Sequence, residues 1–427
     1  MKIMSQKFLV LDMFSGGGGL TEGFTRHSFD FLAHIEMDKN AADTLETRLL
    51  FHELKKIGKE NIYERYYRGD ISRDSFIQSV KEEGIDLPPV INEELSDKTN
   101  PGIIDGLKKN LEKKYHRTDV DVIIGGPPCQ SFSLAGRGKN KAKAHRDPRN
   151  YLYLHYLRCL KEFQPKLFVF ENVPGLKSAK NGTIFNHVIS QCTKMGYHLD
   201  AEAHILNASD FGVLQDRERI IFIGWKSEND HFRYPDFPVV PREGKVWDLL
   251  KDLPDLQAGE GTDAFQKYKK GHSSKYVTDK QIRNSYGGIR HHAARTHNER
   301  DREIYRIAIR NWKESGHRLN YNELPEDLKT HKNRHSFVDR YKVVNRKSVS
   351  HAILAHLAKD GHYFIHPNPD LARSLTVREA ARIQSFPDDY LFEGPRLAKY
   401  VQIGNAVPPL MAEGIAKKVK EMLNTIE

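Results

Sequence analysis

Residues Asp121-Val122-Ile123-Ile124-Gly125-Gly126-Pro127-Pro128-Cys129-Gln130-Ser131 decide how this chain is read. The apolar run up to Ile124 reads as a buried strand. After Ser131 the chain becomes small, polar and basic, from Ser133 to Arg149. A cysteine therefore stands where a core strand opens into a loop, and in a doubly wound sheet ligands bind at such carboxyl ends. Gly125 and Gly126 allow a tight turn and close approach of another molecule. The two prolines stiffen the backbone before the sulfur and remove two N–H donors. A lone cysteine is more often a small buried hydrophobe, but a rigid strand-end support suits a nucleophile, and the flanking sequence supplies its partners.

Upstream, Phe8-Leu9-Val10-Leu11 is a short apolar strand ending at Asp12, followed by Phe14-Ser15-Gly16-Gly17-Gly18-Gly19 and a helix from about Leu20 to His27. Strand, glycine loop and helix open a nucleotide-binding α/β unit, and the absence of a following Gly-Lys-Ser/Thr excludes a P-loop. A second strand, Phe31 to Ile35, ends in Glu36, about twenty residues beyond the loop, where a carboxylate accepts from ribose hydroxyls. A helix from Lys39 to Leu54 follows. Gly69-Asp70-Ile71 is expected to end a third strand beside Glu36. Residues 72–119, polar and broken at Pro88-Pro89 and Asn100-Pro101, read as an insertion on the sheet's rim with a helical stretch near Ile103 to Lys114.

Downstream, Tyr151 to Phe163 has helical periodicity, and Leu167-Phe168-Val169-Phe170 is a buried strand ending in Glu171-Asn172-Val173. A helix from Thr183 to Met195 and a strand near Ala203 to Leu206 precede Gln215-Asp216-Arg217-Glu218-Arg219, which runs into Ile220-Ile221-Phe222-Ile223. This alternation predicts a doubly wound, mostly parallel sheet covered on both faces. From Pro235 the apolar runs shorten, with a basic helix near Arg302 to Trp312. Helical character returns at Thr376, an N-cap with Glu379 completing a capping box. Gly404-Asn405-Ala406-Val407-Pro408-Pro409 opens a last helix, Leu410 to Leu423. The expected organisation is a catalytic domain over 1–234, a smaller mixed domain over 235–372, and a return to the catalytic domain over 373–427.

At 427 residues, 38% hydrophobic and 29% charged, the chain has the composition of a soluble protein. Its three cysteines, Cys129, Cys159 and Cys192, are too few and too scattered for a disulfide framework, which points to a reducing compartment. No metal-ligand spacing, signal peptide or membrane-length apolar run is seen. The net charge is +10. Residues 235–372 hold 25 Lys and Arg against 18 Asp and Glu, so +7 of that charge, and 11 of the 21 His. A solvated basic face would account for the charge, but its concentration favours a polyanionic partner.

Cys129, Glu171, Arg217 and Arg219 thus stand at the ends of neighbouring strands. A thiolate, a carboxyl and guanidinium donors suit covalent attack on an electron-poor ring: attack by sulfur, proton handling by the carboxyl, and an arginine on developing carbonyl charge.

With these blocks in order the chain resembles the DNA (cytosine-5)-methyltransferases of bacterial restriction–modification systems. The matching blocks are Asp12 to Gly19, Glu36-Met37-Asp38, Gly69-Asp70-Ile71, Gly126 to Ser133, Glu171-Asn172-Val173, Gln215-x-Arg217-x-Arg219, Arg373-Ser374-Leu375-Thr376-x-Arg378-Glu379 and Gly404 to Pro408. The resemblance implies a Rossmann-like, S-adenosylmethionine-dependent fold and release of S-adenosyl-L-homocysteine, with no metal. Cofactor residues would be Phe14 on the adenine, Ser15, Gly16, Gly17, Gly19, Leu20, Glu36 on the ribose, Met37 where the family often has Trp, Asp70 on the adenine amino group, Ile71, Pro127, Asn405, Ala406 and Val407. A cytosine flipped out of duplex DNA would be attacked at C6 by Cys129, with Glu171 on N3 and Arg219 on O2. Gln130, Ser131, Ser133, Arg137 and Gln215 would contact DNA. The small Ala135 stands where relatives often fill the gap left by the flipped base, so Arg137 or a residue of 235–372 would fill it here.

Residues 235–372 would be the target-recognition domain. The resemblance further implies a cytoplasmic, nucleoid-associated bacterial monomer with double-stranded DNA as partner, no membrane, and a cognate restriction endonuclease in the same system. Two alternatives stay open: a transfer-RNA cytosine-5 methyltransferase, which shares nearly every motif, and a catalytically inactive DNA-binding protein.

Overall fold

The computed structural model describes residues 7–128, 151–200, 202, 204–229, 231–330 and 334–426. An eight-stranded sheet forms the centre, with strands β1 (Leu9–Met13), β2 (Asp30–Ile35), β3 (Val90–Ile91), β4 (Val122–Gly125), β5 (Leu167–Asn172), β6 (Tyr197–Leu199), β7 (Ile205–Asn207) and β9 (Glu218–Lys226). A two-residue strand, β8 (Gln215–Asp216), lies just outside it. The order is β3-β2-β1-β4-β5-β9-β6, parallel through β5, with β9 antiparallel to β5 and with β6 and β7 both paired to β9. Chain direction across the sheet reverses between β1 and β4, so their carboxyl ends, Met13 and Gly125, flank the topological switch point where such sheets bind ligands.

The strands are apolar throughout because both faces are covered. Leu9, Leu11, Met13, Ile123, Phe168 and Phe170 enter one core. Their sequence neighbours Phe8, Val10, Val122, Ile124, Leu167 and Val169 enter the other, as a two-residue period requires. Helices α5 (Asn100–Asn110), α6 (Leu152–Phe163) and α7 (Thr183–Lys194) cover the first face. On the second lie α1 (Gly19–Arg26) and the last helix, α13 (Pro409–Leu423), so the two ends of the chain share a core.

Between β2 and β3 stand α2 (Lys39–Lys56), α3 (Glu60–Arg68) and α4 (Arg73–Glu82), and here the structure departs from the sequence reading. Gly69-Asp70-Ile71 does not end a strand. Gly69, at φ 86°, ends α3 in a left-handed turn, and the Asp70 N–H closes that turn on the Arg65 carbonyl at 2.9 Å. The strand beside β2 is instead Val90–Ile91, within the segment taken for an insertion. That segment also supplies α5, whose Ile103, Ile104 and Leu107 are core residues. Residues 72–119 thus supply the edge strand of the sheet and one of its covering helices.

The 235–372 segment holds the short helices α8 (Val246–Leu250) and α9 (Lys275–Asp279), small two-stranded ribbons, and α10 (Glu299–Ser315), N-capped by Asn298 through the Asp301 N–H at 2.8 Å. One apolar cluster lies mostly within it, from Ile304 to Ala372. A second joins Val246, Val277 and Ile353 to α11 (Val377–Ile383) and α12 (Arg396–Asn405), so the packing continues across the boundary at 372/373. One buried ion pair crosses it too, Arg382 with Asp252, while Arg382–Asp388 and Arg373–Glu379, the latter at 2.8 Å, lie on the far side. The capping box is formed, with the Thr376 N–H on Glu379 at 2.8 Å and the Glu379 N–H on the Thr376 hydroxyl at 3.2 Å.

Candidate active site

Met13 ends β1, and Phe14 turns the chain through φ 55° into the glycine loop. The Ser15 N–H donates to the Ile35 carbonyl at 3.1 Å, which holds the loop to the end of β2. The Ser15 hydroxyl donates to the Asp12 carbonyl at 3.1 Å. One Glu36 oxygen accepts the Gly16 N–H at 2.8 Å and the other the Asp38 N–H at 2.7 Å. Burial pushes the Glu36 carboxyl above the usual range, and those two N–H groups draw it partly back. Each oxygen keeps a lone pair for another donor. Gly16 sits at φ 56° with open space where a side chain would begin, while Met37 beside it is exposed. The Glu36 carboxylate, exposed Met37 and the open face of Gly16 thus lie together, while Phe14 packs partly against the core.

The other side is closed by the far end of the chain. The Tyr390 hydroxyl donates to the Gly17 carbonyl at 2.6 Å. Ala406 and Val407 press on Gly19 so closely that any Cβ there would overlap the Val407 carbonyl. Leu20 belongs to the core beneath, and Asn405 stays exposed at the end of α12. Asp70, exposed on its turn, and Ile71 are not at this sheet edge. The residue found there is Asn92, just past β3, whose amide donates to the Glu36 and Met37 carbonyls at 2.9 and 3.0 Å. Asn92 was missed because a two-residue strand among prolines has no readable period. Also missed was a buried group under the loop, Asp12 with Thr21 at 2.5 Å and His34 at 3.1 Å.

At the neighbouring strand ends, Gly126 lies against the Glu171 carboxylate, which leaves no room for a Cβ. The Asn172 amide donates to the Pro127 carbonyl at 3.0 Å, tying the Pro-Pro segment to the end of β5. Glu171 pairs with Arg219, Oε1 to Nε at 2.7 Å, with both side chains largely buried. Burial lowers the proton affinity of Arg219 and Glu171 partly restores it. Cys129, Gln130, Ser131, Ser133, Ala135 and Arg137 lie outside the described residues. Cys159 and Cys192 are buried in the core, with thiols pushed up to about 12 by burial, so neither serves as a thiolate.

Two expectations are corrected. Arg217 is fully buried. Its guanidinium bridges the Ile353 and Gly404 carbonyls at 2.6 and 2.8 Å, and its Nε has no partner, so it braces the site rather than entering it. Gln215 is equally buried: its amide donates to Ile383 and Gln384, and its oxygen accepts the Ile353 N–H at 2.8 Å. It joins two segments and has no face left for DNA. Among the described residues no group of three or more His, Cys, Asp or Glu is placed to hold a metal ion, and no helix is long and apolar enough to cross a membrane.

A family model for C-5 cytosine-specific DNA methylases matches residues 8–79 and 95–421. This chain belongs to that family. It is a DNA (cytosine-5)-methyltransferase by family. A type II methyltransferase of Bacillus paralicheniformis is 41% identical over 97% of this chain and 99% of its own length. A second, from Haemophilus parahaemolyticus, is 31% identical over 98% of this chain and 87% of its own length. Among solved structures, a prophage-encoded protein of E. coli provisionally described as a DNA modification methyltransferase superposes with a TM-score of 0.64 at 25% identity, covering 98% of this chain and 100% of that one. The C-5 cytosine methylase match runs through 235–372 and through most of 72–119, omitting only 80–94 between its ends.

Proposed function

We propose that this methyltransferase uses S-adenosylmethionine to methylate C5 of one cytosine in a specific DNA sequence, as the modification half of a restriction–modification system. The buried Glu171–Arg219 pair carries the reading: it stands beside Gly126 at the end of the strand that leads to Cys129. The pair suits a neutral heterocycle better than an anionic substrate, because the arginine's charge is already balanced. In this mechanism Cys129 adds to C6 of a flipped cytosine. Glu171 holds the proton at N3 and the Arg219 guanidinium faces O2, so the electron pair displaced by sulfur is stabilised and C5 becomes nucleophilic. Loss of the C5 proton after alkylation then expels Cys129 and restores the thiolate.

The glycine loop fits the cofactor. Glu36 has acceptor capacity left for ribose hydroxyls, Gly16 leaves open space, and Phe14 and Met37 offer apolar surface beside it. When bound, S-adenosylmethionine supplies the methyl group. Phe14, Glu36, Met37, Ala406 and Val407 would hold it, with Asn92 fixing the Glu36 backbone. Residues 235–372 bring the basic surface that positions DNA. The chain acts in the cytoplasm as a monomer, with a cognate endonuclease as its counterpart.

Bisulfite sequencing of DNA from cells expressing the chain tests this reading. One methylated sequence motif is expected, absent with Cys129→Ser. Unmethylated DNA, with methylated transfer RNA instead, would overturn it.

A further inference from the structure

Beside the catalytic strand ends lies a cavity that the proposed mechanism leaves unused. The segment 215–219 alternates: Gln215, Arg217 and Arg219 are buried on one side, and Asp216 and Glu218 are exposed on the other. Asp216 forms one wall of a cavity of about 330 Å3, and Trp312, Arg318, Val343, Asn345 and His351 form others. Neither Glu171 nor Arg219 lines it, so it is not the pocket of the target cytosine.

Its chemistry is that of a nucleotide site. Arg318 lies over the Trp312 ring at 5.8 Å, which gives an aromatic face beside a cation. No ion pair is found for Arg318 or the nearby Lys342 among the described residues; the Lys342 ammonium lies over the Tyr363 ring at 5.0 Å, with Asp339 near enough to act on its charge. Arg300, Arg302, Arg306 and Arg334, by contrast, are paired with acids. Asp216 shares the cavity with Arg318 but does not pair with it, so an acceptor and a donor remain on separate walls. The Asn345 side-chain oxygen is taken by the Lys347 N–H at 3.0 Å, which leaves its amide N–H groups to donate. An acceptor and a donor match an exocyclic amino group next to a ring nitrogen, as on adenine or on the pairing edge of cytosine; the major-groove edge of thymine, which has no donor, does not match.

We propose that this cavity takes one nucleotide of bound DNA, its base against Trp312 and its phosphate on Arg318 and Lys342, so that Asp216 and Asn345 help to set the recognised sequence. The proposal rests on the DNA-methylating reading above.

Two measurements on the full chain test it. The first sequences sites methylated in a random-sequence library by wild type, Asp216→Asn and Asn345→Ala. Relaxed preference at one shared position is expected. The second follows labelled duplex binding by anisotropy across salt concentrations. Arg318→Gln should weaken all sequences alike and lower the salt slope by about one unit. Trp312→Phe should keep binding, and Trp312→Ala should lose it with an unchanged far-ultraviolet spectrum. Site preference and salt slope identical to wild type in all variants would overturn the proposal. Trp312-dependent binding of free dAMP or dCMP that duplex does not displace would overturn it too, by giving the cavity to free nucleotides. A wild-type chain that binds duplex without methylating it would sink the functional reading alone, because the salt slope still reports on the cavity.

Discussion

The Glu171 carboxylate accepts from the Arg219 guanidinium at 2.7 Å across the antiparallel seam between β5 and β9, next to a glycine that has no room for a side chain. Breaking the pair from either side leaves one buried charge alone, so both Glu171→Gln and Arg219→Ala should lose stability, by up to about 3–5 kcal/mol. Glu171→Gln is also expected to lower tritium transfer to DNA by about 10²–10⁴-fold, measured at a temperature where denaturant titration shows it still folded.

Cys159 and Cys192 are held as thiols by burial, so trapping on 5-fluorocytosine duplex in the presence of cofactor should depend on Cys129. Cys129→Ser is expected to abolish the denaturation-resistant complex seen on gels. Cys159→Ser should retain it at lower stability. Equal trapping by both variants would give the nucleophilic role to another residue.

Arg217 bridges the Ile353 and Gly404 carbonyls, and Gly404 leads to the residues pressed against Gly19. Arg217→Ala should therefore raise the dissociation constant for S-adenosylmethionine in calorimetry more than it lowers trapping by Cys129. The reverse pattern would return Arg217 to the reacting base.

Gly19→Ala forces a methyl group into the Val407 carbonyl, an overpacking that costs about 1–3 kcal/mol and displaces the loop. Gly16→Ala meets no protein atom and carries the strain of a positive φ, about 1–2 kcal/mol, but its methyl group enters the space proposed for the cofactor. Cofactor affinity should fall in both variants, with the larger loss of thermal stability in Gly19→Ala.

His291, His292 and His366 are buried, with burial lowering them to about 3, 4 and 3. Unfolded, each titrates near 6.5. Above that pH both states are neutral and these groups leave stability unchanged. Below it the unfolded chain takes up protons that the native one refuses, so stability falls with pH from about 6.5 towards 3–4. Urea unfolding between pH 7 and 5 should show a loss per pH unit steeper than the roughly 1.4 kcal/mol of a single proton.

The sequence made the central strands legible because each is an apolar run buried on both faces and ending in a polar block, as at Ile124-Gly125 and Phe170-Glu171. The Thr376 capping box was legible because its signal is local. Gly69-Asp70-Ile71 misled because a glycine closes a helix as readily as a strand, and only the Arg65–Asp70 bond tells which. In Gln215-x-Arg217-x-Arg219 the residue types were plain but their directions were not. All three point to one side, and only the third meets Glu171; the first two meet chain from beyond residue 350. Packing across 372/373 was illegible for a related reason: apolar periodicity shows which residues are buried, not that Val277 and Ile403 share one core.

Gly17 and Gly19 leave the ribosome early, and the groups that close over them, the Tyr390 hydroxyl and the Val407 carbonyl, leave almost last. Until then Leu20 and Phe24 lack the helix that covers them, since α13 follows later still. During synthesis the amino-terminal half therefore carries an apolar face with nothing yet to cover it. A chain cut before residue 406 lacks Ala406 and Val407, which close the glycine loop, and loss of cofactor binding by such a truncation, read by calorimetry, is the expected outcome.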